Sequence, residues 1–261
     1  MIVFFIEETE KFKLIKKIEI NQDIIFINNR IDRINNKVMY KIVRVLENNS
    51  CRNVILSKQL KNSNNFINFL YSNNINIVNG RKLFKALIEK IIEKGCKNNG
   101  IIPKESIISF AINYAEANII KTIENCSKKF KFVNIISNNI SVFKKIKEKL
   151  YNENGIIITV TNNRRKAFLK TDLIVNVDFS EEMLNKYAIY DNAVIINLEE
   201  PTKIRKKRFS GKIINDFEIS LKKYSNIELE LKHEKYKKYD IKDLAEVYLM
   251  KYPEEIQNLV I

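Results

Sequence analysis

The feature that most constrains the fold is a regular alternation of short apolar runs and helical segments in the second half of the chain. The runs lack the polar alternation of half-exposed strands, which is typical of strands buried on both faces of a sheet. Helices between such strands are crossovers, so neighbouring strands should pair in parallel. The predicted strands cover residues 106–112, 132–137, 156–161, 173–177, 193–198 and 212–215, and the predicted helices cover 116–127, 141–151, 164–170 and 181–187.

The first hundred residues predict a smaller α/β region with a β-hairpin. Short β-type runs open the chain at 3–6, 13–20 and 23–27, and Asn21-Gln22 joins the last two as a hairpin turn. Two further strands then alternate with helices, and Gly95 is the predicted stop of the last helix. These strands cover 53–57 and 75–78, and the helices cover 35–46, 64–71 and 81–94.

A linker at 96–103, which contains Gly100 and Pro103, separates the two patterns. We therefore predict an N-terminal α/β domain over 1–100, a parallel α/β domain over 104–220 and a C-terminal helical tail over 221–261. Residues 240–250 of this tail form an amphipathic pattern, which predicts a helix that docks on this chain or on a partner.

Composition excludes several classes of protein. Hydrophobic residues make up 45% of the 261-residue chain, enough to bury a sizeable core, and no run approaches the roughly 20 apolar residues of a membrane helix. Three widely spaced cysteines predict a reducing, cytoplasmic location rather than a disulfide framework. The single histidine, His233, leaves no histidine-based metal cluster and no Ser-His triad, so we expect no metal.

The formal net charge of +15 has two explanations that the sequence leaves open. Lysine, isoleucine and asparagine are used heavily along the whole chain, as in proteins of AT-rich genomes, so much of the excess can be solvated surface. Alternatively, the charge attracts nucleic acid or another polyanion. The densest basic run, 203–208, lies beside Phe209, which is a weak nucleic-acid signal.

The second half resembles the NAD(P)-binding domains of the glutamyl-tRNA reductase and shikimate dehydrogenase kind. Residues 106–118 match the family's first strand and glycine turn, 133–139 match its second strand, and 167–178 match the approach to its fourth strand, with Asp172 at the usual acidic position. Residues 195–201 and 211–218 look like the fifth and sixth strands. The resemblance implies a parallel Rossmann-like sheet, with NADP or NAD as the cofactor if one binds.

This sequence departs from that family at the phosphate-binding turn. The three glycines of a dinucleotide fingerprint permit a tight turn, close approach of the pyrophosphate and packing of helix on strand. The corresponding residues here are Asn113, Ala115 and Asn118. Asn113 can adopt a left-handed turn, but Ala115 adds a Cβ where the phosphate would lie. Glu116 places a carboxylate at the start of the next helix, where it would itself cap the helix dipole and repel a pyrophosphate.

Polar residues after the other strands are further binding candidates. Asn138 and Asn139 follow the second strand without the acidic residue that selects a ribose hydroxyl, which favours NADP over NAD. Arg164 and Arg165 follow the third strand, and their guanidinium groups can bind phosphate or carboxylate in a bidentate manner. Each of these can also be an ordinary solvated turn.

Two weaker candidates complete the set. Asp178 ends the fourth strand, where an acidic residue could act in acid–base chemistry. The segment 79–81 offers Gly80 for close backbone approach and Arg81 at a helix start.

We expect a Rossmann-like protein that binds a nucleotide or phosphorylated small molecule and need not be catalytically active. The alternative is a basic, nucleic-acid-associated or scaffold protein that uses the fold without a small ligand. A true NAD(P)-dependent oxidoreductase would need an intact cofactor turn. No membrane partner is expected, and no sequence feature sets an oligomeric state.

Overall fold

The computed structural model describes residues 3–8, 16–21, 24–29, 35–221, 236–249 and 256–261. Contacts divide the chain into two compact units, Met1–Leu83 with Ile219–Asn258 and Phe84–Glu218 with Leu259–Ile261. The predicted linker at 96–103 lies within the second unit, and the limits 1–100, 104–220 and 221–261 stay predictions about independently folding domains. His233 and Gln22, the second residue of the predicted hairpin turn, lie outside the described residues.

The first unit contains a five-stranded sheet in the order β2-β3-β1-β4-β5. β1, β3, β4 and β5 are parallel, whereas β2 pairs with β3 in the antiparallel manner that the predicted hairpin requires. The strands are β1 (Val3–Glu8), β2 (Lys16–Asn21), β3 (Ile24–Asn29), β4 (Asn53–Leu56) and β5 (Asn76–Ile77), and the helices are α1 (Asn36–Asn48) and α2 (Asn64–Ser72).

The predicted amphipathic helix near the C-terminus is present as α8 (Ile241–Leu249) and docks on the chain itself. Its Leu244 is buried in a cluster with Ile55 and Val78 of the first unit. Two carboxylates of the same helix, Asp243 and Glu246, are also buried. The region predicted as a helical tail also contains a strand, β13 (Ile256–Val260), which pairs with β12 (Glu218–Leu221).

The second unit contains a six-stranded, all-parallel sheet. Its order is β11-β10-β9-β6-β7-β8, which is the 3-2-1-4-5-6 order of a classical Rossmann sheet when the strands are numbered along the unit. The predicted α/β fold class is therefore confirmed. The strands are β6 (Ile107–Ala111), β7 (Phe132–Ile136), β8 (Thr159–Thr161), β9 (Leu173–Asn176), β10 (Val194–Asn197) and β11 (Ile213–Ile214).

The helices of this region depart from their predicted bounds, since some are shorter or broken and the helix predicted over 141–151 is longer than predicted. They are α3 (Arg81–Ala86), α4 (Ile88–Asn98), α5 (Ala117–Ser127), α6 (Ile140–Asn154) and α7 (Glu181–Asn185). The single helix predicted over 81–94 is two helices that meet at Leu87. The helix predicted over 164–170 was wrong, because this segment forms turns and an isolated bridge from Phe168 to Ile189.

Gly95 does not end its helix, contrary to the prediction. It lies buried inside α4 against the side chains of Ile196 and Ile214, and the helix continues to Asn98. The turn out of the helix uses Gly100 instead, whose φ of 65° is the left-handed conformation that glycine adopts at low cost. The local pattern predicts a stop at Gly95, since the residues that pack on it, Ile196 and Ile214, are more than a hundred positions away in the chain.

A core cluster under one part of the second-unit sheet joins strands to the irregular segments around them. It includes Phe168, Tyr187, Ile189 and Ile195, with Ile204 and Phe209 packed against it. Apolar side chains thus hold the segments 163–170 and 203–209 in place although neither is a helix. Within the residues described, no helix has the length and apolar character needed to cross a membrane.

We expect Gly95→Ala to stabilise the protein. A Cβ at this position would lie 3.6 Å from the nearest side-chain atom, an ordinary contact, and alanine favours the helix by about 0.5–1 kcal/mol over glycine. Gly211→Ala is the matched opposite, because its Cβ would lie 2.0 Å from the Ala193 carbonyl oxygen and should cost about 1–3 kcal/mol or more. Urea unfolding of both variants checks the pair, and a destabilised Gly95→Ala would contradict the packing described.

We expect Lys61→Met to destabilise the first unit more at neutral than at acidic pH. The Lys61 ammonium contacts Asp243, whose side chain is fully buried, and lies 2.5 Å from Asp240. Burial raises the pKa of Asp243 from 3.8 to about 6, so the folded state gains stability as the pH falls from about 7 towards 4. Removing the ammonium leaves a buried carboxylate that should cost about 3 kcal/mol near pH 7.5 and less near pH 5, where it is protonated.

The control for this prediction is Lys58→Met. Lys58 is 59% exposed and 3.9 Å from Asp240, so its loss should change the free energy of unfolding by less than about 0.5 kcal/mol at either pH. Denaturant unfolding at the two pH values measures both variants. Equal losses for Lys61→Met at both pH values would show that Asp243 does not titrate as described.

Candidate functional site

The candidate site lies where the strand order of the second-unit sheet reverses. β6 pairs with both β7 and β9, and the chain leaves the carboxyl ends of β6 and β9 in different directions. Ligands of open parallel sheets bind in the crevice that forms at such a point. The candidate ligand site therefore consists of the residues that follow these two strands, 112–118 and 177–180.

The turn after β6 is occupied by a side chain of the protein itself. The carboxylate of Asp178 accepts hydrogen bonds from the backbone N–H of Asn113 at 2.8 Å and from that of Tyr114 at 2.9 Å. These donors belong to the turn that the family resemblance aligns with the phosphate-binding glycines. An anion thus lies on this turn, but it is a protein carboxylate instead of a pyrophosphate.

The sheet itself brings Asp178 to this position. The ladder between β6 and β9 extends one residue further through the hydrogen bond from Val177 N–H to the Ala111 carbonyl at 2.9 Å, which places the next residue opposite Asn113. Asp178 is half-buried, and burial raises its pKa above the usual 3.8 although the two backbone N–H groups act in the opposite direction. The nearby Glu199 carboxylate raises the pKa further, and Lys85 lowers it.

Lys85 joins two other carboxylates beside the turn. Its ammonium lies 2.6 Å from Glu116 and 3.4 Å from Glu199. Glu116 is the N-cap residue of α5 and makes no capping hydrogen bond with its side chain, so its predicted effect on the helix dipole stays a prediction about charge alone. The Lys85 ammonium offsets part of this charge, which weakens the repulsion that the sequence predicts between Glu116 and an incoming phosphate.

The structure brings two of the predicted binding residues together. The Asn113 side-chain oxygen accepts a hydrogen bond from the Asn138 backbone N–H at 3.1 Å, and both amide groups reach the Met183 sulfur, at 3.7 Å and 3.4 Å. The neighbouring Asn139 is the N-cap residue of α6, and its backbone N–H donates to the Ser137 hydroxyl. Asn138 and Asn139 are exposed at the end of β7.

The turn that replaces the glycine turn contains no left-handed backbone. The other two residues at glycine-equivalent positions, Ala115 and Asn118, are exposed. Among the described non-glycine residues only Ser50 and Asn74 have a positive φ, so Asn113 does not adopt the left-handed turn that its residue type allows. The side chain of Asn113 is used instead to bond the end of β7.

Arg164 and Arg165 lie in the turn after β8, and both are exposed. The Arg164 carbonyl accepts a hydrogen bond from the Ala188 N–H at 2.7 Å, so this turn packs beside the segment that follows α7. No hydrogen bond or ion pair among the described residues joins either arginine to the turn at 113–118. Asp172, at the family's acidic position, forms two hydrogen bonds with Ile107 of β6. Its carboxylate accepts from the Ile107 N–H at 2.8 Å, and its own N–H donates to the Ile107 carbonyl at 3.0 Å.

A chain of asparagine amides, which the sequence reading missed, organises the carboxyl ends of β9, β10 and β11. Buried Asn176 donates to the Asn197 side chain at 2.9 Å, and Asn197 donates to the Asn215 side chain at 2.7 Å. Asn176 also bonds Phe179, and Asn215 bonds both backbone groups of Thr202. The signal is present in the sequence, since each of the three strands ends with two β-branched residues followed by asparagine.

The first unit repeats the arrangement of the second at the segment 79–81. The Glu246 carboxylate of α8 accepts a hydrogen bond from the Lys82 N–H at 2.9 Å, and the N–H groups of Gly80 and Leu83 also bond it. Burial raises the pKa of Glu246, and these bonds oppose the shift. The Lys242 side chain lies over Gly80, where an added Cβ would be 3.0 Å from it. The backbone that sequence reading offered to a ligand is therefore covered by α8.

The described residues include no group of three or more histidine, cysteine, aspartate or glutamate side chains arranged to hold a metal ion. The side chains of Cys51, Cys96 and Cys126 are buried. Burial raises the pKa of Cys96 to about 11 and that of Cys126 to about 12, so neither thiol is activated as a nucleophile.

Comparison with known proteins finds solved structures at low similarity. No family model and no curated protein matches the sequence. Solved structures with Rossmann-like α/β folds that resemble this chain include L-tryptophan dehydrogenase from Nostoc punctiforme, at 7% identity and a TM-score of 0.33 over 67% of this chain and 50% of that one. They also include 5-ketofructose reductase of Gluconobacter sp. strain CHM43, at 9% identity and a TM-score of 0.34 over 82% and 86% of the two chains.

Ornithine carbamoyltransferase from Pyrococcus furiosus is similar to the same degree, at 9% identity and a TM-score of 0.32 over 82% of this chain and 75% of that one. These structures belong to dehydrogenases and to carbamoyltransferases, which catalyse unrelated reactions. Similarity of this degree does not determine a substrate or a reaction for this chain.

We expect Asn197→Leu to destabilise the second unit by about 2 kcal/mol, because the change removes one hydrogen-bond partner each from the buried amide of Asn176 and the half-buried amide of Asn215. Urea unfolding followed by circular dichroism measures the loss. Asn162→Leu is the control, since Asn162 is exposed and its substitution should remain within about 0.5 kcal/mol. Equal effects at the two positions would mean that the amide chain does not contribute as described.

Proposed function

We propose that this chain is a Rossmann-like protein that binds a nucleotide or phosphorylated small molecule at the switch point of its sheet and carries out no hydride transfer. The observation that supports the proposal is the pair of backbone N–H groups of Asn113 and Tyr114 that converges on one carboxylate of Asp178. Two convergent N–H donors form an anion receptor even where the glycines are missing. A phosphate group of the ligand replaces the Asp178 carboxylate on these donors.

The charge of Asp178 makes this exchange dependent on pH. Because burial raises its pKa, Asp178 takes up a proton at a higher pH than an exposed aspartate does. The protonated form is a weaker acceptor for the turn N–H groups and does not repel phosphate. Ligand affinity therefore increases as the pH falls, and Asp178 limits affinity at neutral pH.

The same contacts argue against a functioning NAD(P)-dependent reductase. A dehydrogenase needs its dinucleotide held in one pose at neutral pH, and here the pyrophosphate position is held by Asp178, beside Glu116 and Glu199. Asn138 and Asn139 remain the proposed contacts to a ribose or its 2′-phosphate, which favours NADP over NAD. Arg164 and Arg165 are not required for this pose.

The test is Asp178→Asn, which keeps the shape of the side chain and removes its charge. Calorimetric titration with ADP, ATP, NAD and NADP should show at least one ligand that binds the variant about tenfold more tightly than the original protein at pH 8. For the original protein, affinity should increase as the pH is lowered from 8, because the pKa of Asp178 is raised by burial, whereas Asp178→Asn should show only the shallow change due to the ligand's own phosphate ionisation.

Glu200→Gln is the matched control. Glu200 is exposed, and its substitution removes one negative charge, as Asp178→Asn does, at a residue outside the turn. It should leave affinity within about twofold. Absence of binding of every nucleotide to both the original protein and Asp178→Asn would refute the proposal. Reduction of a ketone or aldehyde with stoichiometric oxidation of NADPH would refute its claim that hydride transfer is absent.

A further inference from the structure

Two basic segments that lie far apart in the sequence meet at one short stretch of the second unit. The Arg164 carbonyl accepts a hydrogen bond from the Ala188 N–H at 2.7 Å. The Asn185 side chain bonds the Lys203 carbonyl and the Arg205 N–H, each at 2.8 Å. Residues 185 and 188 are three positions apart, so their Cα atoms are separated by at most about 11 Å. The segments 164–166 and 203–208 therefore flank the same stretch, and we call them together the basic surface.

The basic surface is held in place by the core beneath it. Phe168, two residues after the first segment, belongs to a hydrophobic cluster, and Ile204, within the second segment, packs against the same cluster. Phe209 packs against this cluster as well. The cations are thus displayed on a packed support at defined positions, unlike lysines on a freely moving loop.

An exposed aromatic side chain lies between the two segments. The Tyr190 N–H donates to the Phe168 carbonyl at 3.0 Å, and the adjacent Asp191 carbonyl accepts from Ser210 and Gly211 at 2.8 Å. Tyr190 is therefore connected to the end of both segments, and its side chain is 39% exposed. The Tyr190 backbone is thus bonded beside both cationic segments, and an exposed aromatic ring beside phosphate-binding cations is the combination that stacks a nucleic-acid base.

The basic surface is enriched in the residue type that recognises phosphate. Four of the nine arginines in the chain lie within its nine positions, although lysine is the common cation elsewhere. Arg205 pairs with Glu181 at 2.5 Å. Among the described residues Arg164, Arg165 and Arg208 are exposed and take part in no ion pair, so their guanidinium groups are available to phosphate oxygens.

We propose that the basic surface binds single-stranded nucleic acid, with arginine contacts to successive phosphates and Tyr190 stacked on a base. The cations are spread over two segments instead of converging on one point, which suits a chain of phosphates better than a single phosphorylated metabolite. The exposed ring gives a reason to prefer an unpaired strand, because bases in a duplex are stacked on one another. This activity is separate from the switch-point site and does not depend on it.

The experiment is fluorescence anisotropy with labelled U12, dT12 and a 12-base-pair DNA duplex, titrated with the full chain between 50 and 200 mM salt. At least one single strand should bind more tightly than the duplex, and affinity should fall steeply with salt because phosphate contacts release counterions. Arg164→Gln combined with Arg165→Gln should reduce the slope of log K against log salt by about 1.4, since each lost phosphate contact on a single strand contributes about 0.7.

A matched pair of charges elsewhere separates this surface from the general positive charge of the chain. Lys121 on α5 and Lys147 on α6 are exposed, and neither helix contributes to the cluster beneath the basic surface. Lys121→Gln combined with Lys147→Gln should leave the salt slope nearly unchanged. Tyr190→Ala should weaken binding by about tenfold, and Tyr190→Phe, which keeps the stacking ring, should retain it.

Several outcomes would overturn the inference. These are no binding at 50 mM salt, a preference for the duplex, or equal effects of the arginine pair and the lysine pair. Asp178→Asn should not change oligonucleotide affinity, so failure of the switch-point proposal and failure of this one are distinguishable. Circular dichroism of each variant confirms that the exposed substitutions leave the fold intact.

Discussion

The hydrogen bonds between Asp178 and the turn after β6 are the interaction on which the candidate site depends. A parallel strand that ends in a turn leaves backbone N–H groups that need an acceptor when they are removed from water. In a dinucleotide-binding domain the ligand supplies that acceptor, and glycines let it approach. Here the acceptor is the carboxylate of Asp178, two residues after the end of the adjacent strand β9, so the turn at Asn113 and Tyr114 is complete without a ligand.

In the first unit, too, a carboxylate of the protein accepts hydrogen bonds from backbone N–H groups that have no partner in a helix or sheet. Glu246 of α8 accepts from backbone N–H groups at the start of α3, as Asp178 does after β6. In both places burial raises the pKa of the carboxylate, and the backbone donors act against that shift. A chain with a net charge of +15 thus places acidic side chains on its backbone donors, while exposed arginines gather at 164–165 and 205–208.

The strands of the second unit could be predicted because each is a run of apolar residues that local pattern alone identifies. Their parallel pairing also followed from the helices α5, α6 and α7, which act as crossovers between strands, although the connections from β8 to β9 and from β10 to β11 contain no helix. The helix at 164–170 could not be excluded, because its apolar spacing suits a helix and the contact of Phe168 with Ile189 that holds it in turns is a tertiary one. Gly95 misled for a similar reason, since its neighbours Ile196 and Ile214 are distant in sequence.

By itself the sequence determined the fold class, the six parallel strands, the missing glycines and the docking helix near the C-terminus, because each depends on residue type and spacing within a short window. Only the tertiary structure decided what replaces the glycines. The hydrogen bond between Asp178 and Asn113, the ion pair between Lys85 and Glu116 and the hydrogen bonds along the chain of asparagines join residues that are 18 to 65 positions apart. Hydrogen bonds and ion pairs of that kind arise from strand order, which brings the ends of β6 and β9 side by side and which no local pattern records.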